Sequence, residues 1–384
     1  MATIRKNKPF EVGNRGITLI CACICFSHAQ IPVTVSGALP SSVNNSTEAF
    51  FPPVVDQGAR ESCANASGIG YVFNYEINAD RNASAEESKN LYPFFYTYDF
   101  LNDGSEMNGT YRMFIDAWKI GQENGIANLS DFGASNLTST HWVSGYDRYF
   151  RIMQNRVDKI DSLNMTDTNS LRKMKQWLFD HGNGSSSGGL VIFTLYMYGS
   201  QETTIPSGVE AGKSFFKYWG TKADMSSQHA MTIVGYNDSV RFDFNGDKKF
   251  TNNVDISNHE GKINSTDGKI DMADWEIGAI FVANTWGTSW GDKGFAYAPY
   301  RSLFISYANG GTISNNRIYY MTVKKNYTPK MALKASITHS VRNAIALSVG
   351  AAPDPQATVP SKIRSFDRQF TYAGGAYPMC GKRA

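Results

Sequence analysis

The chain has 384 residues, 42% of them hydrophobic and 18% charged, with a formal net charge of +3. That length holds one large domain or two smaller ones, and the composition is that of a globular protein. The positive balance is local: setting aside Arg5, Lys6, Lys8 and Arg15 leaves 33 of the 37 basic residues, and setting aside Glu11 leaves 33 of the 34 acids. The rest of the chain is therefore neutral overall, which excludes a global charge that would draw it to nucleic acid or to an anionic membrane.

The N-terminus reads as a secretory signal over residues 1–29. A basic stretch precedes the apolar run Ile17–Phe26, and Ser27-His28-Ala29 supplies small residues at a cleavage position, giving a mature start near Gln30. The run is too short to cross a bilayer, and the sequence offers no other candidate span. The expected location is secreted, periplasmic or at the cell surface. A weaker lipoprotein pattern, Ile20-Cys21-Ala22-Cys23, offers lipid attachment at Cys23 as an alternative. Cys21, Cys23 and Cys25 leave with the leader, so Cys63 and Cys380 remain, too few for a disulfide framework.

Residues 30–49 are polar and turn-rich and read as a surface segment leading in. Phe51-Pro52-Pro53 is extended, because each proline biases its predecessor away from helix. Ser62 is a good N-cap for a helix starting at Cys63, with Ile69, Val72, Phe73 and Ile77 at helical spacing and Gly68 and Gly70 weakening it. Helices are expected over 91–100, over 111–124 with a stop at Gly125, and over 170–181 with a stop at Gly182. Strands follow over 190–198, 230–236, 277–284, 294–297 and 318–324. Helices first and strands second argue an α+β fold with a site between the halves.

Residues 237–276 hold nine acids against five bases and read as a long inserted loop. Lys325-Asn326-Tyr327-Thr328-Pro329 marks a boundary. Beyond it, residues 326–384 form a C-terminal segment that reads as part of a β-rich module, short for an independent core.

The chemistry gathers on three stretches. Cys63 at a helix N-terminus is placed for a depressed thiol pKa, further lowered by a histidine that can hold the proton. His229 opens a strand of the second half. Asn284 can accept from the second imidazole nitrogen and fix its tautomer. Trp286 can cover that bond. Gln57 can donate to a developing oxyanion, with the Cys63 N–H as second donor.

These stretches resemble the papain-like (C1-type) cysteine peptidases. The residues that carry the resemblance are Gln57-Gly58…Ser62-Cys63, then His229-Ala230-Met231-Thr232-Ile233-Val234-Gly235-Tyr236, then Asn284-Thr285-Trp286-Gly287-Thr288-Ser289-Trp290-Gly291. Asn108-Gly109 resembles the family's loop on the non-primed substrate side. The resemblance covers about residues 50–323. It implies a two-subdomain fold, a helical half and a β-barrel-like half with the active-site cleft between them, a protein or peptide substrate, no cofactor for catalysis, and a monomer. The peptidase domain then spans residues 30–325.

The chain departs from that pattern in four places. Arg60 stands where a disulfide cysteine is usual, and Ala64 where a bulky aromatic follows the nucleophile. The histidine-to-asparagine gap of 55 residues is long. About 33 residues before Cys63 leave no room for an inhibitory pro-region of the usual kind.

The acidic insert also contains two partial EF-hand patterns. Asp243, Asn245 and Asp247 match positions 1, 3 and 5, but Lys248 stands where glycine should and Val254 at position 12. Asp267, Asp271 and Asp274 match positions 5, 9 and 12, with Ile263 at position 1. Together they suggest one composite oxygen-lined Ca2+ site; a solvated acidic loop is the plainer reading. Asn-x-Ser/Thr sites are numerous, but one is Asn65, where a glycan would obstruct Cys63.

The expected function is a secreted endopeptidase that works through a Cys63 thioacyl-enzyme, with His229 as acid and base. The alternatives are a catalytically silent peptidase-like binding module and an acyl transferase using the same residues.

Overall fold

A computed structural model describes residues 31–35, 37–101, 113–133, 143, 145–218, 228–305, 313, 316–329 and 348–365. Residues 1–30, Cys380 and the expected substrate-side pair Asn108-Gly109 lie outside them. The fold is α+β. Helices dominate up to Ile152, and strands dominate afterwards.

The central helix runs over residues 63–81. It is α-helical at Cys63–Asn65, π-helical at Ala66–Phe73 and α-helical again at Asn74–Arg81; we call it α1. The π stretch, where Asn74 N–H donates back to the Ile69 carbonyl, holds both glycines that weaken α-helix. Gly68 has a packing reason: a Cβ there would lie 2.7 Å from the Phe114 Cβ. The helix Met113–Asn124 (α3) therefore packs close, and Trp118 Nε1 donates to the Gly68 carbonyl at 2.8 Å. Between these two comes α2, Phe95–Leu101. It starts later than expected because Pro93 holds residues 91–94 out of the helix.

Two short helices, Leu129–Phe132 (α4) and Tyr146–Ile152 (α5), complete the helical side. The helix Thr168–Asp180 (α6) starts with an Asp167–Ser170 capping box. It ends one residue before the expected place because His181 adopts the left-handed conformation, φ 56°. That turn aims the His181 ring back at α1. Nε2 lies 2.7 Å from Glu76, whose other oxygen accepts the Leu190 N–H.

One sheet carries the second half. Its order is β2-β9-β3-β6-β7-β8-β5-β4, with β1 paired to β6 beside the path. The strands are β1 Ser42–Asn44, β2 Val157–Asn164, β3 Val191–Tyr196, β4 Gln201–Thr204, β5 Ser214–Tyr218, β6 Gln228–Arg241, β7 Ile277–Ala283, β8 Phe295–Pro299 and β9 Arg317–Val323. The sequence patterns locate β3, β6, β7, β8 and β9. They miss β2, β4 and β5, whose exposed polar residues dilute the hydrophobic signal. A separate antiparallel hairpin, β10 Ser348–Ala351 with β11 Lys362–Ser365, lies in the C-terminal segment.

The leading segment is not a loose surface run. β1 pairs with β6, and Asn45 Nδ2 bridges the Leu178 and Gly189 carbonyls at 2.9 and 3.0 Å. Ile31, Val33 and Val43 pack on the core beneath the sheet. Gly235 is required at this crossing, since a Cβ would strike the Val43 carbonyl. Among the described residues no helix is long and apolar enough to cross a membrane.

Two predictions follow from the packing. Gly68→Ala should destabilise the protein by about 1–3 kcal/mol, read by denaturant unfolding, because the new methyl overpacks against Phe114. The second concerns His181. Burial lowers its pKa, but the Glu76 charge and hydrogen bond, with the Ser187 carbonyl, outweigh this and hold it above 6.5. A group raised on folding stabilises below its unfolded pKa, and that stability is lost as pH rises through the folded value. The melting temperature should therefore be higher at pH 6 than at pH 8.5 by an increment that His181→Gln removes.

Candidate active site

Residues 63, 67 and 71 are spaced by four along α1, and all three face β6 and the residues after β7. Ser67 Oγ donates to the Ala230 carbonyl at 2.9 Å, which fixes the helix against the residue next to His229. The Ala230 N–H points back at the Cys63 sulfur, as do the N–H groups of Cys63 and Ala64. Tyr71 Oη donates to the Asn284 carbonyl at 2.7 Å and accepts the Val55 N–H at 2.9 Å. Cys63 is free and partly exposed.

Sheet register supplies the second contact. Thr232 faces Ala283 across β6 and β7, so Asn284 leaves β7 alongside the start of β6. His229 Nε2 and Asn284 Oδ1 are 2.6 Å apart. The same oxygen accepts the Thr285 N–H at 2.7 Å, which identifies it as the acceptor end of the amide. The imidazole proton is therefore on Nε2, leaving the Nδ1 lone pair free to take a proton. Asn284 is fully buried, and its Nδ2 has no partner. The Trp286 ring lies over His229 with centroids 4.6 Å apart, and covers the bond from solvent.

Gln57 is held at three points. Its N–H donates to the Thr285 carbonyl at 2.8 Å. Its Oε1 accepts from Thr285 Oγ1, and its Nε2 donates to the Arg60 carbonyl at 2.8 Å. One Nε2 proton is then used and the other is left for a ligand. The sequence motifs assign no role to Ser67, Tyr71 or Thr285, which the structure brings into the site. The spacing of four from Cys63 is the signal that points to the first two, and Thr285 sits beside Asn284.

Ser62 precedes the helix as expected, but its hydroxyl makes no capping bond. It is fully buried without a partner, while its carbonyl accepts the Ala66 N–H. The expected depressed thiol pKa is not what the surroundings produce. Burial pushes the Cys63 thiol up to about 11, against the backbone N–H groups that favour thiolate. Burial likewise pulls His229 down to about 4, with the Asn284 bond acting the other way. Each group alone is neutral near pH 6. Asn65 is completely buried and accepts from Thr97 Oγ1 at 2.8 Å, so a glycan there has no space.

In the insert, each carboxylate of the expected composite Ca2+ site accepts from backbone N–H groups. Asp243 accepts the N–H groups of Gly246 and Lys248, Asn245 that of Asp247, and Asp247 that of Lys249. Asp267 accepts from His259 and Lys269, Asp271 from Ala273, and Asp274 from Ile256, Ser257 and Asp271. These carboxylates close their own turns. No group of three or more His, Cys, Asp or Glu side chains among the described residues is arranged to hold a metal ion. The buried cation facing this loop is Arg301, which donates to the Ala273 and Gly261 carbonyls and feels Asp274, Glu276 and Asp271.

No family model matches the sequence, and no curated protein does. Solved structures that the chain resembles include xylellain, a cysteine protease from Xylella fastidiosa, at 13% identity and a TM-score of 0.41 over 74% of this chain and 87% of that one. Others are digestive procathepsin L 3 of Tenebrio molitor, at 15% and 0.45 over 77% and 74%, and procathepsin B S9 from Trypanosoma congolense, at 14% and 0.46 over 77% and 84%.

Asn284→Ala should remove a protected imidazole N–H resonance that the wild type shows by NMR, because the covered 2.6 Å bond holds that proton. An unchanged resonance would mean that Asn284 does not hold the ring.

Proposed function

We propose that this chain is a papain-like cysteine peptidase, carried past an N-terminal leader and acting outside the cytosol on protein or peptide substrates. The observation that carries the reading is the Nε2–H bond from His229 to Asn284 Oδ1, which leaves the Nδ1 lone pair free to act as a base. In the reaction Cys63 Sγ attacks the scissile carbonyl carbon while its proton passes to His229 Nδ1. The carbonyl oxygen takes the electron pair and is held by the free Nε2 proton of Gln57 and the Cys63 N–H. As the tetrahedral intermediate collapses, the C–N bond breaks and His229 returns the proton to the leaving amine. Water then attacks the thioester with His229 as base, releasing the acid and the thiol. No metal or cofactor enters these steps.

The two pKa shifts bear on how the thiol is activated. A thiol near 11 beside an imidazole near 4 makes proton transfer costly for the isolated groups. Forming both charges together offsets part of that cost, because a contact ion pair at an effective dielectric of about 20 attracts by about 4 kcal/mol. Cys63 therefore depends on His229 for reactivity at neutral and acidic pH. The same shifts favour a second reading, a binding module with the residues intact but the pair resting neutral and inert.

Labelling with an epoxysuccinyl peptide separates the two. At pH 6 we expect wild-type protein to be labelled at Cys63 alone, at least about tenfold faster than His229→Ala, in which the thiol ionises only as pH approaches 11. Equal rates in the two proteins, or no labelling of either, would favour the binding module. Thr285→Val frees the Gln57 amide to turn. It should lower kcat/KM for a peptide substrate by about tenfold, a loss of about 1.4 kcal/mol in transition-state binding, with the alkylation rate of Cys63 kept.

A further inference from the structure

On β2, at the end of the strand order, a buried carboxylate meets the backbone of Ile31. The Ile31 N–H donates to Asp161 Oδ2. Asp161 lies on β2, is 8% exposed, and its other oxygen accepts the Ser162 N–H at 2.7 Å. Among the described residues no lysine, arginine or histidine pairs with it. Two neutral amides are a weak match for a buried negative charge, which is strongly disfavoured without a counter-ion.

The segment that delivers Ile31 is firmly held. Thr34 N–H donates to the Gly182 carbonyl at 3.0 Å, Arg172 donates to the Gly37 carbonyl at 2.9 Å, and Ile31 and Val33 pack on the core. Ile31 is thus fixed with its nitrogen on Asp161 whatever precedes it.

We propose that Ile31 is the N-terminal residue of the mature protein and that its α-ammonium is the counter-ion of Asp161. The proposal rests on residues 1–29 being a removable leader. Cleavage after Ala29 leaves Gln30. Hydrolysis of the Gln30–Ile31 bond then gives a free glutamine, which takes the OH of water, and an Ile31 amine, which takes the proton. Trimming stops there, because Pro32 makes the next bond a tertiary amide with no N–H for an aminopeptidase to grip. Processing turns one neutral donor at Asp161 into a cation with three N–H donors.

The α-amino group ordinarily titrates at about 7.7–8.0, and pairing with Asp161 raises it. The stabilisation is therefore present below about pH 8 and lost as pH rises through the folded value. Of the other titratable groups nearby, Tyr320 faces Asp161 from β9 and is held far above its usual range, so it stays neutral. Asp180 and His181 end the helix that Thr34 crosses. His181, whose pKa is raised beside Glu76, is common to every protein compared, so differences between them cancel it.

The test begins with the intact mass and N-terminal sequence of the full chain secreted with its leader. A start at Ile31 supports the proposal. A start at Gln30 or its pyroglutamate overturns it and keeps the leader reading, and an uncut chain overturns both. Proteins beginning at Ile31 and at Gln30 are then released from a cleavable fusion and melted at pH 6 and pH 9.5. We expect the Ile31 form to melt at least about 3 °C higher at pH 6 and equally at pH 9.5. Asp161→Asn should erase the difference. Carbamylation of the Ile31 amine with cyanate should do the same in the wild type, which keeps the test open if the variant fails to fold. Equal melting at pH 6, or an advantage that survives carbamylation, overturns the proposal.

Discussion

The candidate site depends on how α1 lies against the first residues of β6. Ser67 Oγ on the Ala230 carbonyl and the Ala230 N–H on the Cys63 sulfur join the two elements within one turn of the helix. Tyr71 carries the same helix face to the Asn284 backbone and to Val55, just before Gln57. One face of one helix thereby helps position a thiol, an imidazole and two side-chain amides. The π-helical stretch and the close approach permitted by Gly68 are the local departures from regular helix that this placement uses.

The same packing sets an electrostatic tension. Burial fixes the geometry, and it also disfavours charge on each member of the Cys63–His229 pair taken alone. Asn284 and the backbone N–H groups around the sulfur work against that penalty. Gln57 is a simpler case, since two bonds to its side chain and one to its backbone leave a single direction for its remaining proton.

Elsewhere the fold matches buried carboxylates with cations of its own. Glu76 meets His181, and the acidic insert turns its innermost carboxylates toward Arg301. Asp161 is a buried carboxylate met by amide N–H groups in place of a cation, as is Asp180 at the end of α6.

By itself the sequence determined the class of fold and the four polar residues of the candidate site. Helical spacing in the first half, apolar strand runs in the second, and three motif-bearing stretches are local patterns that survive in one dimension. The helix end near Gly125 was legible for the same reason, whereas the start near Pro93 was read four residues too early. Tertiary structure alone decided that Ser42–Asn44 joins the sheet, because this is a three-residue strand whose partner lies almost two hundred residues away. It decided the roles of Ser67, Tyr71 and Thr285, whose importance lies in what they touch. It also decided that the acidic loop closes on itself and on Arg301, since spacing reports which oxygens are present and only packing reports which donors they meet.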